Sequence, residues 1–157
     1  MLSIPADGRI LYFRRDRARF RFLSHFWPSP IALQGALWPT VEHFYQAQKS
    51  ADPGYRATIR EAPTPAEAKS RADHWFRISG AALPADWPER KLRAMREADA
   101  AKFGRYPDLA ALLRETGTAE LIEDSPDDAF WGIGPDGQGL NWAGRVLMEV
   151  REALRSV

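Results

Sequence analysis

The chain has 157 residues, no cysteine and a net charge of +1. That length fits one domain with its own core. The missing thiols exclude disulfides, thiolate metal sites and cysteine nucleophiles, and the near-neutral charge argues against strong non-specific binding to nucleic acid.

Ile10 to Phe13 reads as a short strand, Phe20 to Phe26 as another and Ile31 to Leu33 as a third, with Gln34-Gly35 as a turn. A helix is expected from Thr40 to about Ser50, capped by Thr40 and entered through Pro39. Asp52-Pro53-Gly54 interrupts it, and a short helix follows over Tyr55 to Arg60. Thr64-Pro65-Ala66-Glu67 is a helix start: a capping Thr, Pro at the first helical position, and Glu three residues after the Thr. Asp86-Trp87-Pro88-Glu89 opens the longest helix, to about Phe103, with Gly104 as its stop. Pro107 to Arg114 is a helix closed by Gly117. Glu120 to Glu123 reads as a strand with Trp131 to Ile133 as its partner, and Asn141 as the cap of a last helix, Trp142 to Leu154, striped by Val146, Leu147, Val150 and Leu154. The sum is an α+β, helix-rich single domain over residues 1–157.

No apolar run reaches the ~18 residues of a membrane span. MLSIPADGRI lacks the basic and apolar regions of a signal peptide, so a cytoplasmic location is expected. His25, His43 and His74 have no ligand spacing, so neither a metal nor a cofactor is expected. The basic cluster Arg14 to Arg21 reads as a solvated segment or as a phosphate contact. Six Trp and eight Phe suit a core, a stacking platform for a planar ligand, or both.

WPTVEHFYQAQK poses the main question. Glu42, Gln46 and Lys49 fall within about 60° of one another around a helix axis, and Glu42 and Lys49 lie about 10 Å apart along it. Such a line is either a wet outer stripe or a polar face turned into a pocket, able to hold two ends of one ligand. The second dense stretch, DDAFWGIGPDGQGLNWAGRVLM, has five Gly between Gly132 and Gly144. It is neither a P-loop nor a dinucleotide fingerprint. It reads as a tight hairpin, or as a ligand shelf beside Trp131 with an anion site at the free N–H groups of the following helix.

Taken together, FLSHFWPSPIALQG, WPTVEHFYQAQK, APTPAEAK, AKF and DDAFWGIGPDGQGLNWAGRVLMEVRE resemble the NADAR family over about Phe20 to Glu152. The resemblance implies a helix-rich α+β domain with N-glycosidase activity on a ribosyl group attached to a nitrogenous base. Its substrates would be ADP-ribose on guanine, in a nucleoside or in DNA, or phosphoribosylamino-pyrimidine intermediates of riboflavin synthesis. It places functional positions at Glu42, Lys49, Asp128, Trp131, Gly132 and Asn141, and pocket walls at Phe22, Ser24 and Trp38. Two departures stand out. His25 replaces an Asn, and Ala72-Asp73 stands where the family often has Gly-Arg, leaving Arg71 or Arg77 to make any phosphate contact.

Cleaving an N-glycosidic bond builds positive charge on the ribose and requires a proton for the leaving base. Glu42 suits the acid/base role, Lys49 that of nucleophile or charge partner, Asp128 that of an orienting carboxylate, and Gln46 that of a pocket residue. A non-catalytic ADP-ribose or NAD sensor would keep the Trp and Gly features without needing Glu42, Lys49 and Asp128 together. A structural interaction module would explain the aromatics but not the polar helix face. The oligomeric state is not legible in the sequence.

Overall fold

Six α-helices, a 3-10 segment and four short strands make up the computed structural model, which describes residues 1–156. The helix-rich α+β class expected from the sequence is the class observed. The chain divides into two compact units: Pro28–Arg105, and Met1–Trp27 together with the chain from Tyr106 onward.

In the first unit, β2 (Ile31–Leu33) and β3 (Ala36–Trp38) form an antiparallel hairpin in which Ile31 faces Trp38. Its two turn residues, Gln34 and Gly35, both have positive φ, 53° and 72°, the twist a two-residue hairpin requires. Helix α1 (Val41–Ala47) starts where Thr40 Oγ1 accepts from the His43 N–H. Helix α2 (Pro53–Arg60) is capped by Asp52, and α3 (Pro65–Ser79) by Thr64, whose Oγ1 accepts from the Glu67 N–H at 3.1 Å. Gly80, at φ 64°, ends α3. Helix α4 (Trp87–Arg105) runs through Gly104 instead of stopping there. An interior glycine costs a helix only about 1 kcal/mol. Pro107 is the stronger terminator, because it forces the preceding Tyr106 into an extended conformation (φ −116°, ψ 93°).

In the second unit, β1 (Arg9–Leu11) pairs parallel with β4 (Glu120–Ile122), Ile10 opposite Leu121. Helix α6 (Trp142–Arg155) packs on β4 and on α5 (Pro107–Glu115), burying Val146, Leu147 and Val150, while Leu154 is half-buried. The strand expected over Phe20 to Phe26 is absent. Arg15–Leu23 is a 3-10 segment kinked at Arg17. Phe20 and Leu23, three residues apart, share one face of such a helix and are both buried, so the apolar spacing suits it as well as a strand. Trp131 to Ile133 is a loop, and β4 takes β1 as its partner instead. Among the described residues no helix is long and apolar enough to cross a membrane, and no cluster of His, Cys, Asp and Glu is arranged to hold a metal.

Candidate functional site

Helix α1 settles the first alternative. Every residue from Val41 to Gln48 is buried, so the line carrying Glu42 and Gln46 is not a wet stripe. Glu42 is 7% exposed and Gln46 2%. A seven-residue helix enclosed on all sides cannot leave its terminal carbonyls to water. Each has a partner. Gln48 Nε2 donates to Phe44 O at 3.1 Å, the Gln48 N–H to Tyr45 O at 3.1 Å, the Tyr55 hydroxyl to Gln46 O at 2.7 Å, and Arg56 Nη1 to Ala47 O at 3.3 Å. Burial pushes the Tyr55 hydroxyl pKa well above its usual value, so it stays a donor.

His43 belongs to this scaffold. Ala62 O can only accept, so His43 Nε2 donates to it at 3.0 Å, which leaves Nδ1 to accept from the Thr40 hydroxyl at 2.8 Å. Burial lowers the His43 pKa, against the pull of Ala62 O and Glu42, and the neutral ring fits both bonds. His43 is thus a packed, hydrogen-bonded histidine of the core. Trp38 is also core. Its Nε1–H donates to Leu33 O at 3.0 Å, its ring meets Phe44 edge-on at 5.9 Å, and the Arg56 guanidinium lies 5.4 Å from the ring centre.

The polar centre of α1 is a carboxylate-amide pair. Gln46 Nε2 donates to Glu42 Oε1 at 2.7 Å, fixing the carboxyl one helical turn away. Lys49 follows just past the helix end, half-buried, with its Nζ 6.0 Å from the centre of the Tyr45 ring, and Tyr45 in turn packs on Trp87 at 5.6 Å. Burial lowers the Lys49 pKa, Asp73 and then Glu42 oppose that shift, and Lys69 adds to it. Asp73 also lines a cleft of about 650 Å³ along α3, with Glu67, Lys69, Arg71, Trp75 and Arg77. Arg71 is already engaged there, by Glu67 at 3.1 Å and Thr58 O at 3.0 Å.

The remaining candidates lie in the other unit. Asp128 Oδ1 accepts from the N–H groups of Phe130 and Trp131 at 2.9 and 2.8 Å, so this carboxylate shapes the turn that carries Trp131. Trp131 is half-buried and meets Phe130 edge-on at 4.9 Å. Gly132 is required by space: a Cβ there would lie 2.8 Å from Glu123 O and 3.0 Å from Asp128 O. Asn141 precedes α6 but does not cap it by its side chain. Held at φ 52°, it accepts from the Glu123 N–H and donates to Leu121 O, both at 2.9 Å, bracing the glycine loop against β4. The anion site expected at the start of α6 is not available. The N–H groups of Asn141, Trp142 and Ala143 donate to Gly132 O, Phe130 O and Trp131 O, all at 3.0 Å. The folded-back loop supplies those carbonyls and so consumes the donors an anion would need. Phe22 is buried in the 3-10 segment, and half-buried Ser24 just after it accepts from the Phe26 N–H at 3.1 Å. His25 is buried as well.

Three groups escaped the sequence reading. Asp124, 3% exposed, accepts from the Phe13 N–H at 2.9 Å, while Arg14 and Arg17 lie 3.4 and 3.8 Å from its Oδ2. Part of the basic cluster therefore serves an internal carboxylate about 110 residues away, a pairing no local spacing signals. Asp99 and Lys102 are both fully buried on α4, and burial brings the Lys102 pKa down to about 8 against the pull of Asp99. Their spacing of three on one helix, with Lys102 inside the AKF stretch, was the available signal. Asp73 was noted only as a departure from a family pattern, and its field on Lys49 depends on the packing of α3 against α1.

The chain is similar to several known proteins. An N-glycosidase of Nostoc punctiforme is 40% identical over 150 residues, 94% of each chain. The N-glycosidase YbiA of Escherichia coli is 41% identical over 131 residues, covering 83% of this chain and 79% of that one. The NMR structure of the E. coli protein YbiA superposes with a TM-score of 0.82 at 36% identity, covering 98% of this chain and 89% of that one. A riboflavin biosynthesis protein of Vibrio vulnificus is 38% identical over 148 residues, although this chain spans only 38% of its length. The model of the NADAR domain matches residues 12–155, nearly the whole sequence, and the chain is a member of that family.

Proposed function

We propose that this chain removes ADP-ribose from guanine by hydrolysing the bond between the ribose anomeric carbon and the base. The coarser statement rests on the family: the chain is an N-glycosidase, a hydrolase like its relatives of about 40% identity over most of its length. The observation that carries the mechanism is the buried Glu42–Gln46 pair followed directly by a half-buried Lys49 whose ammonium is disfavoured by burial.

Those groups supply what the reaction needs. As the bond between the anomeric carbon and the base nitrogen lengthens, positive charge grows on the ribose and negative charge on the base. Glu42 stabilises the first or transfers the proton that the second requires. Lys49 in its amine form attacks the anomeric carbon, and the base departs with its bonding electrons and takes up a proton. The ribose ring opens to an imine, and water then releases the sugar aldehyde and restores the amine. Partial burial favours that amine form. Within its own unit, Asp128 holds the backbone of Trp131, whose indole is a face suited to a planar base. Trp38 braces α1, and Gly132 and Asn141 shape the loop that carries Trp131, while Phe22 and Ser24 belong to the 3-10 segment and the residues just after it.

A second substrate, a phosphoribosylamino-pyrimidine, is favoured by a specific observation. Relatives in Vibrio vulnificus and Zea mays carry riboflavin biosynthesis names. Modified guanine within DNA gains little from the basic cluster, since Arg14 and Arg17 face Asp124. The test is turnover of both small substrates, with base release followed by mass spectrometry. Release from ADP-ribosylguanosine alone supports the first reading and release from the pyrimidine alone the second. Tight ADP-ribose binding with no turnover of either substrate would replace both with the sensor.

A further inference from the structure

Gln46 carries an acceptor that the fold does not use. Its Nε2 is committed to Glu42 Oε1 at 2.7 Å, while its Oε1 is buried and has no hydrogen-bond partner among the described residues. The amide orientation follows from that contact: with Nε2 on the Glu42 carboxyl, Oε1 points away from it. An unmet buried acceptor destabilises a fold, because it has given up its water without a replacement. An apolar side chain at this point would have no orphan atom. Every backbone carbonyl at the end of α1 has a donor, so the exception is confined to the side chain beside the carboxylate.

We infer that Gln46 Oε1 receives an O–H donor that enters with the reaction, held between Gln46 and Glu42. Gln46 is then a positioning residue with two tasks. Its Nε2–H fixes the Glu42 carboxyl, and its carbonyl fixes the incoming hydroxyl. Two sources carry that chemistry: a ribose hydroxyl of the substrate, and the water that ends as the hydroxyl on the sugar product. This inference rests on the N-glycosidase reading of the same site and names what one of its pocket residues holds.

The test is steady-state kinetics of the full chain and of Gln46→Met, which keeps the length of the side chain and removes both polar groups. The probes are the phosphoribosylamino-pyrimidine, ADP-ribosylguanosine and the 2-deoxyribosyl and 3-deoxyribosyl analogues of each. Gln46→Met is expected to lose roughly 10- to 100-fold in kcat/KM, the scale of one charge-assisted contact, with little change in melting temperature, because the unmet Gln46 acceptor it removes offsets the Glu42 acceptor it leaves unmet. A higher KM, with the loss disappearing on one deoxy analogue, assigns the donor to that ribose hydroxyl. A lower kcat at constant KM, equal on all analogues, assigns it to water. Wild-type kinetics in Gln46→Met on a substrate the wild type turns over would overturn the inference. No wild-type turnover of any probe would instead defeat the functional reading beneath it. Should the variant not fold, the Gln46 side-chain amide resonances of the wild type decide. They are expected to shift on adding ribose 5-phosphate or ADP-ribose, and unchanged resonances with either product bound would overturn the inference.

Discussion

Replacing Asn141 with Ala is expected to be costly to the fold, because this side chain is a brace. It makes two buried hydrogen bonds, from the Glu123 N–H to its Oδ1 and from its Nδ2 to Leu121 O, each at 2.9 Å. Truncation leaves a buried donor and a buried acceptor unmet at about 1–3 kcal/mol each. Alanine at φ 52° adds about 1 kcal/mol more, since the left-handed region disfavours a residue with a Cβ and no local hydrogen bond. The expected loss is about 3–7 kcal/mol, measured by urea denaturation, or roughly 6–28 °C in melting temperature for a chain of this size. Asn141→Gly separates the two contributions: it keeps the hydrogen-bond loss and removes the backbone strain, so it should be about 1 kcal/mol milder than Asn141→Ala. A loss below about 1 kcal/mol in Asn141→Ala would refute the bracing role and return this residue to the pocket as a ligand contact.

Other predictions concern the same elements. Gly144→Ala is expected to destabilise by about 3 kcal/mol or more, because its Cβ would overlap Leu121 O where α6 crosses β4, and thermal denaturation reads this directly. Lys49→Ala is expected to abolish the adduct that borohydride traps during turnover and to lower kcat at least about 100-fold, while leaving melting unchanged. With the Lys49 amine as the proposed nucleophile and its pKa lowered by burial, wild-type kcat/KM should rise with pH through a midpoint below the ordinary lysine value of 10.5. A pH-rate profile with no such limb would assign Lys49 a purely electrostatic part.

The sequence was most legible where one residue type answers one backbone need. Thr40 and Thr64 cap where their spacing says they should, and Gln34-Gly35 makes the hairpin turn. It was least legible where a pattern has two physical solutions. Phe20, Phe22 and Leu23 suit a strand or a 3-10 helix, and the choice was made by the kinked segment that carries them. The glycines from Gly132 onward announced close backbone approach, and Gly132 meets it. What they approach is their own protein: the loop folds onto the start of α6 and takes the N–H groups a bound anion would have used. The α1 line could be grouped by its 100° steps, but its burial could not be read from a helix whose flanks are aromatic on one side only. That depended on the packing of α1 against α2, α3, α4 and β3.

The central claim is that buried Glu42 serves N-glycosidic hydrolysis. The direct measurement is release of free base, by mass spectrometry, from ADP-ribosylguanosine and the phosphoribosylamino-pyrimidine, comparing the wild type with Glu42→Gln. Base release is expected from at least one substrate, reduced roughly 100- to 10,000-fold in the variant with its melting temperature preserved. Equal turnover in the two proteins would contradict it.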